Sequence, residues 1–516
     1  MSFVSWQFIA FVVLSLFAYY IFPKKIQWLV LLAVSILFYS LGGLKILAYL
    51  IFTILTTYFS AIKIGKLNEK LQSKQDKNVS EKIKSKKKLW VLFSVVCNFG
   101  MLFFFKYWNF SAGIVDKIFG ISLPIFNLIL PLGISFYIFQ SIGYVIDVYR
   151  KKYSPEKNIL KYALFVSFFP QMVQGPISRF NNLGEQLTKE HKFDFENIEK
   201  GINLLLWGYF KKLVIADRAA VIANIVFDNF ENYGGAIIVL GVIFYCIQLY
   251  CDFSGGIDIT RGVARLFGID LVDNFKRPIF STSLQDFWRR WHISLGTWMK
   301  DYLFYSLSLS KPFVKMGKNI RKHLNGKAGQ IIPVSIVTFI VYFAIGIWHG
   351  ASFKYIAFGL WNGTIITLSL LLEPAFIKLK QKLNISNDNK FFNIFRMLRT
   401  SFLVLIGRYI TRAANLGTAI SMLKKTFFDF IPIELTNGTL QSFGLTTTDF
   451  IVVGVSVMVL LIIEGLQEHK IDVSKKLKEK NAFLQYSILT AFLLVIVVFG
   501  IYRGDYIASE FIYKQF

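Results

Sequence analysis

Long apolar segments without charge constrain this chain more than any other feature of its sequence. Segments 4–22 and 26–44 each contain 19 residues and no charged side chain, about the length that an α-helix needs to cross a hydrocarbon core of ~30 Å. Further candidate segments, some of which contain charged residues, follow at 46–62, 89–105, 125–142, 203–226, 236–252, 331–348, 353–372, 399–416, 448–465 and 482–502. Together they predict an all-α, polytopic integral membrane protein with about twelve transmembrane helices.

The composition agrees with a membrane protein and excludes several other classes. Of the 516 residues, 54% are hydrophobic and 17% are charged, whereas about a quarter of the residues in a soluble chain are charged. The net charge of +27 does not indicate nucleic-acid binding, because the basic residues lie between apolar segments and lack the compact fold of a nucleic-acid reader. Three cysteines without CxxC or CxxH spacing predict neither a disulfide framework nor a metal site.

The distribution of lysine predicts the orientation in the membrane. Segment 63–88 contains ten lysines and three acidic residues, and loops with an excess of Lys and Arg stay in the cytoplasm. Three predicted helices precede this loop, so we expect the N-terminus outside and, with an even number of helices, the C-terminus outside as well. The other loops that this topology assigns to the cytoplasm are also basic: 150–161, 311–327, 378–390 and 470–480. We interpret these residues as topology signals that also attract anionic membrane lipids.

Two regions do not fit simple transmembrane helices. Segment 158–200 contains FFPQMVQGPISRF (168–180), which predicts a re-entrant or interfacial element, since broken backbone at membrane depth must be surrounded by protein or water. Segment 252–301 is too charged to face lipid, and ionisable groups at such positions indicate a polar interior. Segment 203–226 carries four more of these groups: Lys211, Lys212, Asp217 and Arg218.

The sequence contains no evident internal repeat, so we expect one membrane-embedded domain over 1–516. We place its specific catalytic core at 160–373, with peripheral N-terminal helices at 1–145 and further helices at 395–516. Segment 416–448 contains Pro432 and the turn-like Asn437-Gly438. It is typical of a small extracytoplasmic element between two helices.

His349 is the histidine whose position most suggests chemistry. It directly follows the uncharged segment 331–348, in the sequence WHGAS. The small Gly350 and Ala351 allow another backbone or a thin substrate close to its ring. The alternative is a histidine at a helix end that a backbone carbonyl satisfies. The remaining histidines outside the tryptophan-rich segment lie in polar loops and are expected to be solvated: His191, His323 and His469.

A second histidine, His292, lies in DFWRRWHISLGTW (286–298), which is rich in tryptophan and arginine. On a continuous helix, Trp288, Leu295 and either Trp291 or His292 share one face, while the charged residues point toward a polar wall. This pattern predicts an amphipathic helix at the membrane interface. The alternative is an aromatic belt with positive anchors.

The segment YCDFSGGIDITRG (250–262) places Asp252 and Ser254 just after an apolar segment. Asp258 and Arg261 are three residues apart, where they can pair on a helix. DFSGG is not the GxSxG of a serine hydrolase, so we do not expect a nucleophilic serine. The chain also lacks GxxxxGK(S/T) and a GxGxxG after a strand, which argues against a pump driven by nucleotide hydrolysis.

The order of these motifs resembles the membrane-bound O-acyltransferase (MBOAT) family. The resemblance is carried by 250–304 with its WRRWHIS, by WHGASFKYIAFGLWNG (348–363), by FFPQMVQGPISRF (168–180) and by the terminal FIYKQF (511–516). Within the family the chain most resembles the alginate O-acetyltransferase AlgI group, which is similar to the D-alanyl transferase DltB. Residues 305–310 (YSLSLS) depart from the proline and glycine-rich turn usual at this point of the AlgI group.

The resemblance implies a fold, a reaction and a set of site residues. It implies an MBOAT fold in a bacterial cytoplasmic membrane, and an O-acyltransferase with no bound cofactor whose thioester donor, acetyl-CoA or an acyl carrier, arrives from the cytoplasm. The acceptor is expected outside, as a polysaccharide hydroxyl or an SGNH-type transferase partner, and a cytoplasmic acyl carrier protein is a further expected partner. His349, deep in a tunnel, and His292 are implied to be catalytic. Eight residues are expected along the tunnel: Trp291, Arg290, Asp286, Asn362, Trp348, Gln174, Asp252 and Ser254.

A neutral imidazole suits general base catalysis near pH 7. We therefore expect His349 to take the proton of the acceptor hydroxyl as that hydroxyl attacks the thioester. His292 is expected to orient the acyl group, polarise its carbonyl or relay the proton, and Asn362, Trp361 or His292 to stabilise the oxyanion. Two alternatives stay open. One is DltB-like transfer of D-alanine from a carrier protein to teichoic acid, and the other is a transporter or flippase for a lipid-linked sugar.

Overall fold

A computed structural model of the chain describes residues 2–72, 76–128, 130–131, 133–324, 327–386 and 389–502. Throughout these residues the regular structure is helical. The only β-type pairing that they show is a single antiparallel bridge between Phe275 and Trp291. The predicted all-α class is therefore confirmed. The terminal FIYKQF (511–516) lies outside the described residues.

The chain separates into two compact units. The first contains the described residues up to Leu205 together with Gly256–Val272. The second contains Leu206–Gly255 and the described residues from Asp273 onward. The expected catalytic core at 160–373 is thus distributed over both units, and both His292 and His349 belong to the second.

Nine helices begin in the first unit. They are α1 (Trp6–Ile21), α2 (Gln27–Ser40), α3 (Leu44–Gln72), α4 (Lys77–Phe119), α5 (Ile134–Tyr149), α6 (Ile159–Ser167), α7 (Phe169–Gln174), α8 (Phe180–Thr188) and α9 (Phe195–Tyr209), with a short 3₁₀ turn at Lys24–Ile26. With 43 residues, α4 is about 65 Å long at 1.5 Å per residue. This is twice the thickness of a hydrocarbon core, so the lysine-rich start of α4 extends beyond it.

The region around 158–200 is broken into short helices, as its prolines and glycine predict. Pro170 lies in the first turn of α7, where its missing N–H has no helical partner to lose. Gly175 ends the same helix in an extended conformation. A Cβ atom on Gly175 would lie 2.4 Å from the Gln171 Cα atom, so only glycine fits this turn. The re-entrant placement of the region stays a prediction.

The second unit contains the helices that carry the histidines. They are α10 (Asp217–Asp228), α11 (Gly235–Leu266, which continues into the first unit), α12 (Leu284–Arg290), α13 (Ile293–Trp298), α14 (Tyr305–Ser308), α15 (Lys311–His323), α16 (Ala328–His349), α17 (Phe353–Lys382), α18 (Lys390–Arg412), α19 (Leu416–Phe428), α20 (Thr447–Glu468), α21 (Val473–Lys478) and α22 (Ala482–Phe499). Two segments are π-helical, Phe210–Ala216 and Met299–Phe304. Four more 3₁₀ turns occur at Phe230–Asn232, Pro278–Phe280, Pro432–Leu435 and Thr439–Phe443.

Seven helices of the described chain are long and apolar enough to cross a membrane: α3, α4, α11, α16, α17, α20 and α22. They make the chain a multi-pass membrane protein, but they do not confirm the predicted count of twelve. Helix α2 has only 14 residues, and α5 begins at Ile134, well after the predicted start at residue 125. The predicted helix at 203–226 is divided by a π-helical segment, and α18 contains four arginines.

Helices α16 and α17 pack closely through two glycines. A Cβ atom on Gly346 would lie 2.6 Å from the Tyr355 carbonyl oxygen and 2.7 Å from the Gly359 Cα atom. Only glycine therefore permits this approach of the two backbones. Gly346 lies one helical turn before His349, so this contact fixes the end of α16 against the start of α17.

Candidate active site

His349 is the last residue of α16 and lies among aromatic rings. Its imidazole stacks near Tyr355, with ring centroids 6.3 Å apart, and meets the edge of Phe358 at 5.6 Å. A Cβ atom on Gly350 would lie 2.4 Å from the Tyr355 ring. The small residue after His349 thus admits the Tyr355 side chain, whereas the sequence predicts the approach of another backbone or a thin substrate, which stays a prediction.

His292 does not lie on the continuous helix that its sequence predicts. Helix α12 ends at Arg290, Trp291 is extended, and His292 has left-handed backbone angles with φ of 49° before α13 begins. The predicted shared helical face of Trp288, Leu295 and His292 is therefore wrong. A left-handed conformation costs a non-glycine residue about 1–2 kcal/mol, so surrounding contacts must hold it.

The contacts that hold His292 come from Asn274. The Asn274 backbone carbonyl accepts from the Ile293 amide at 3.0 Å. Its side-chain Oδ1 accepts from the Ser294 amide at 2.9 Å and lies 3.3 Å from His292 Nδ1. Because Oδ1 accepts only, Nδ1 carries the imidazole proton and the lone pair is on Nε2. Sequence reasoning did not single out Asn274, which is 18 residues away from His292 in the chain.

The environment keeps His292 uncharged. The side chain is buried and lies outside the seven apolar helices. Burial, which penalises the charged form, lowers the pKa of His292 from its ordinary 6.5 to about 3. The Phe253 ring covers the imidazole edge-on at 5.0 Å. His292 is therefore a neutral hydrogen-bond acceptor at Nε2 near pH 7.

Both histidines line one cavity of the second unit. Its volume is about 360 Å³, and its walls are mostly aromatic and aliphatic, with Trp291 among them. Three basic side chains also reach it: Arg289, Lys300 and Arg408. A concave, largely apolar site with a few convergent polar groups is the usual form of an enzyme site for a small substrate. The cavity combines two imidazoles with cationic groups, so it contains groups that can move a proton and stabilise negative charge.

Comparison with known proteins identifies the family. The sequence profile of the MBOAT, membrane-bound O-acyltransferase family, matches residues 31–319. The chain belongs to the membrane-bound O-acyltransferase family. It is therefore an O-acyltransferase. The matched range includes His292 and ends before His349.

The relatives of this acyltransferase carry names of three related activities. The probable alginate O-acetylase AlgI of Pseudomonas putida is 32% identical over 78% of this chain and 75% of its own length. The peptidoglycan O-acetyltransferase of Helicobacter pylori is 30% identical over 78% and 73%. The teichoic acid D-alanyltransferase of Bacillus subtilis is 27% identical over 56% and 70%.

Two residues expected along the tunnel form an ion-pair network instead of lining the cavity. Arg290 Nη1 contacts Glu468 Oε1 at 2.9 Å, and Arg290 Nε contacts Asp286 Oδ1 at 3.3 Å. Arg277 Nε reaches the same Glu468 at 2.6 Å. The network fastens α12 to the end of α20. Arg290 and Asp286 therefore support the segment that presents Trp291 and His292.

The oxyanion donors expected from sequence proximity are engaged elsewhere. Asn362 Oδ1 accepts from Trp288 Nε1 at 3.1 Å, and its Nδ2 donates to the Phe358 carbonyl at 2.9 Å. Trp361 donates its single ring N–H to the Leu403 carbonyl at 3.1 Å. Trp348 is buried at the end of α16 beside His349, with ring centroids 4.9 Å apart. These side chains hold the aromatic wall in place.

Asp252 and Ser254 face a buried cluster of charges. Lys212 Nζ contacts Asp252 Oδ1 at 2.5 Å and Asp217 Oδ1 at 3.0 Å. Lys211 Nζ donates to Ser254 Oγ at 2.9 Å. Among the described residues that line the cavity is Phe253 but neither of its neighbours. The two polar residues therefore contribute to the polar interior that the charges of this region predict.

Gln174 belongs to the first unit, at the end of α7. Its side chain is 0% exposed, and neither of its amide atoms has a hydrogen-bond partner among the described residues. A Cβ atom on Gly256 would lie 2.5 Å from Gln174 Oε1. In the same unit, Asp258 and Arg261 approach to 3.9 Å, at the spacing that the sequence predicts.

Proposed function

We propose that this enzyme moves an acetyl group from a cytoplasmic thioester to a hydroxyl on the extracytoplasmic side of the bacterial cytoplasmic membrane. The acceptor is a polysaccharide, or an SGNH-type transferase partner that passes the acetyl group on. The O-acetylase and O-acetyltransferase relatives support this choice, because each is at least 30% identical over more than 70% of both chains. The donor is acetyl-CoA or an acetylated carrier protein.

One observation supports the mechanism most strongly: His349 and His292 line the same cavity. In the proposed reaction His349 removes the proton of the acceptor hydroxyl while the hydroxyl oxygen attacks the thioester carbonyl carbon. A carbon–oxygen bond forms, the carbon–sulfur bond breaks, and the leaving thiolate takes the proton back from the imidazole. Positioned proton transfer of this kind contributes roughly 10²- to 10⁴-fold to the rate.

His292 has a different proposed role because its tautomer is fixed. With its proton directed at Asn274 Oδ1, neutral His292 offers an acceptor to the cavity and orients the incoming hydroxyl. The oxyanion then requires donors other than His292. Arg289 and Lys300 line the cavity and supply positive charge for this purpose.

D-alanyl transfer to teichoic acid is the second candidate function. The teichoic acid D-alanyltransferase of Bacillus subtilis is 27% identical over 56% of this chain, which favours a shared mechanism with a carrier-bound donor. The lower identity and shorter match place this candidate behind acetyl transfer. Both candidates use a thioester and an extracytoplasmic hydroxyl.

The test is acyl transfer in membranes that contain the protein. Labelled acetyl-CoA is supplied from the cytoplasmic side, and the label is followed into extracytoplasmic glycan for wild type, His349→Ala and His292→Ala at matched expression. His323→Ala is the matched control, because His323 is an exposed histidine at the end of α15. We expect roughly 10²- to 10⁴-fold less transfer by His349→Ala and unchanged transfer by His323→Ala.

Three other results of this assay would change the proposed mechanism or the proposed donor. Equal transfer by His349→Ala and wild type refutes the general base. Transfer from a D-alanyl carrier protein but not from acetyl-CoA moves the D-alanyl function to first place. An acetylated carrier protein, supplied in a third reaction, distinguishes a carrier-bound acetyl donor from both.

A further inference from the structure

The second unit contains another cavity beside the catalytic one. Its volume is about 370 Å³, close to that of the catalytic cavity. Most of its wall surface is apolar, with Ile247, Val404 and Val457 among the lining residues, and two charged side chains, Arg408 and Glu464, also reach it. An apolar cavity of this kind suits an alkyl chain, because each methylene that leaves water for an apolar wall is stabilised.

One aromatic side chain divides the two cavities. Among the described residues, only Trp291 and Arg408 line both. The Trp291 indole is 7% exposed and stacks on Phe287, with ring centroids 5.5 Å apart and planes 16° from parallel. Phe275 meets it edge-on at 5.0 Å. The indole is therefore a wall held in one orientation by its neighbours.

Trp291 is the immediate neighbour of the proposed catalytic residue His292 in the chain. The single β-bridge with Phe275 fixes the Trp291 backbone. The Arg408 guanidinium lies over the indole at 5.1 Å from its centre, a cation–π contact that further restricts the ring. Trp291 and His292 line the same cavity, and of these two residues only Trp291 also lines the second cavity.

We propose that Trp291 determines the length of the acyl group, by closing the catalytic cavity toward the second, apolar cavity. This inference rests on the proposed acyl transfer. An acetyl group ends in one methyl and needs no space beyond the wall, whereas a longer acyl chain requires the volume that the indole separates from the site. Loss of the indole joins the cavities and admits longer acyl groups.

The experiment measures acyl transfer from acetyl-, butyryl-, hexanoyl- and octanoyl-CoA by wild type, Trp291→Ala and the milder Trp291→Leu. In an apolar pocket a single methylene changes selectivity by roughly tenfold or more. We therefore expect the ratio of hexanoyl to acetyl transfer to rise at least ~10-fold in Trp291→Ala, with a smaller rise in Trp291→Leu. Thermal stabilisation of the solubilised variants by hexanoyl-CoA against acetyl-CoA gives a second readout that needs no turnover.

Two single variants test whether the effect is specific to the Trp291 indole or follows from any loss of side-chain volume in either cavity. Ile243 lines only the second cavity and Trp288 only the catalytic one, so Ile243→Ala and Trp288→Ala each enlarge one cavity without joining the two. Neither is expected to raise the hexanoyl ratio as Trp291→Ala does. Val457→Trp, introduced into Trp291→Ala, refills the second cavity and is expected to return the ratio toward the wild-type value.

The outcomes distinguish this inference from the function on which it rests. Normal acetyl transfer by Trp291→Leu and Trp291→Ala with an unchanged hexanoyl ratio overturns the role of Trp291 and leaves the acetyltransferase intact. An equal rise of the ratio in Trp288→Ala also overturns it, because the second cavity would then be irrelevant. Failure of wild type to transfer any acyl group from any thioester refutes the proposed function, and this inference falls with it.

Discussion

Asn274 is predicted to hold His292 in its working geometry. Its Oδ1 atom accepts hydrogen bonds from the Ser294 amide at 2.9 Å and from His292 Nδ1 at 3.3 Å, and the residue is 1% exposed. Asn274→Ala removes both bonds and leaves a buried amide without its acceptor. At roughly 0.5–1.5 kcal/mol for each bond, we expect the free energy of unfolding to fall by about 1–3 kcal/mol.

The same change acts on catalysis because Asn274 fixes the tautomer of His292. Without the acceptor, the imidazole proton is no longer confined to Nδ1, and the left-handed backbone at His292 can relax. A loss of about 1–3 kcal/mol in the transition state corresponds to a fall in kcat of roughly 5- to 150-fold, since 1.36 kcal/mol is a factor of ten. The stability loss alone would lower the amount of folded enzyme but not kcat per folded molecule.

Asn274→Asp is the diagnostic variant. Its carboxylate keeps an acceptor for both bonds, but its negative charge favours the protonated imidazole and raises the pKa of His292 above the wild-type value of about 3. In the proposed mechanism neutral His292 orients the hydroxyl, so activity on the acidic side is expected to disappear at a higher pH than in wild type. The assay is kcat against pH for the purified variants, with the melting temperature recorded in parallel.

A buried asparagine in the first unit provides the control. Asn98 is 0% exposed and donates to Thr56 Oγ1 at 3.0 Å and to the Ser94 carbonyl at 2.9 Å. Asn98→Ala should therefore lower stability by a similar amount while the pH profile stays in place. A wild-type kcat in Asn274→Ala, or an acidic limb that does not move in Asn274→Asp, would refute the positioning role.

Two further predictions concern the frame around the site. Gly346→Ala should lower both the melting temperature and kcat, because its Cβ would approach the neighbouring helix to 2.6 Å. The control is Gly454→Ala in α20, whose Cβ would meet nothing within 4 Å and which should change neither quantity. If Gly346→Ala changed them no more than Gly454→Ala does, α16 and α17 would have adapted to the added methyl group. Lys212→Met leaves Asp217 and Asp252 buried without their cation and is expected to cost about 3–5 kcal/mol of unfolding free energy. Adding Asp217→Asn and Asp252→Asn should recover part of that loss in denaturant unfolding, and no recovery would exclude unpaired charge as the cause.

The apolar helices could be predicted from the sequence, but their number could not. Hydropathy over 18 or more residues finds α16 and α20 directly, because lipid requires such segments to be uniformly apolar. The helix predicted at 399–416 falls in α18, which is not among the seven apolar helices and contains four arginines. One of them, Arg408, lies over the Trp291 ring. Which apolar segments face protein rather than lipid depends on tertiary contacts that a window of sequence does not contain.

The two histidines also show that local sequence does not contain the tertiary contacts that decide the structure. His349 could be placed because a helix end follows an uninterrupted apolar segment. The sequence around His292 predicts a continuous helix, but the helix is interrupted there. The interruption occurs because the backbone on either side of the Phe275–Trp291 bridge is hydrogen-bonded: Lys276 to Arg290, and Asn274 to Ile293. Such long-range pairing overrides local periodicity, so neither the left-handed His292 nor its acceptor was predictable.

The charges around the cavity fit a reaction that builds negative charge. Its described lining contains Arg289, Lys300 and Arg408 but no carboxylate. In the proposed reaction the attack of a hydroxyl on a thioester produces first an oxyanion and then a thiolate, and fixed cations stabilise both. A carboxylate in the same cavity would stabilise an imidazolium but oppose the oxyanion. In the proposed reaction His349 therefore holds the proton only until the thiolate leaves, while Arg and Lys supply the positive charge for the transition state.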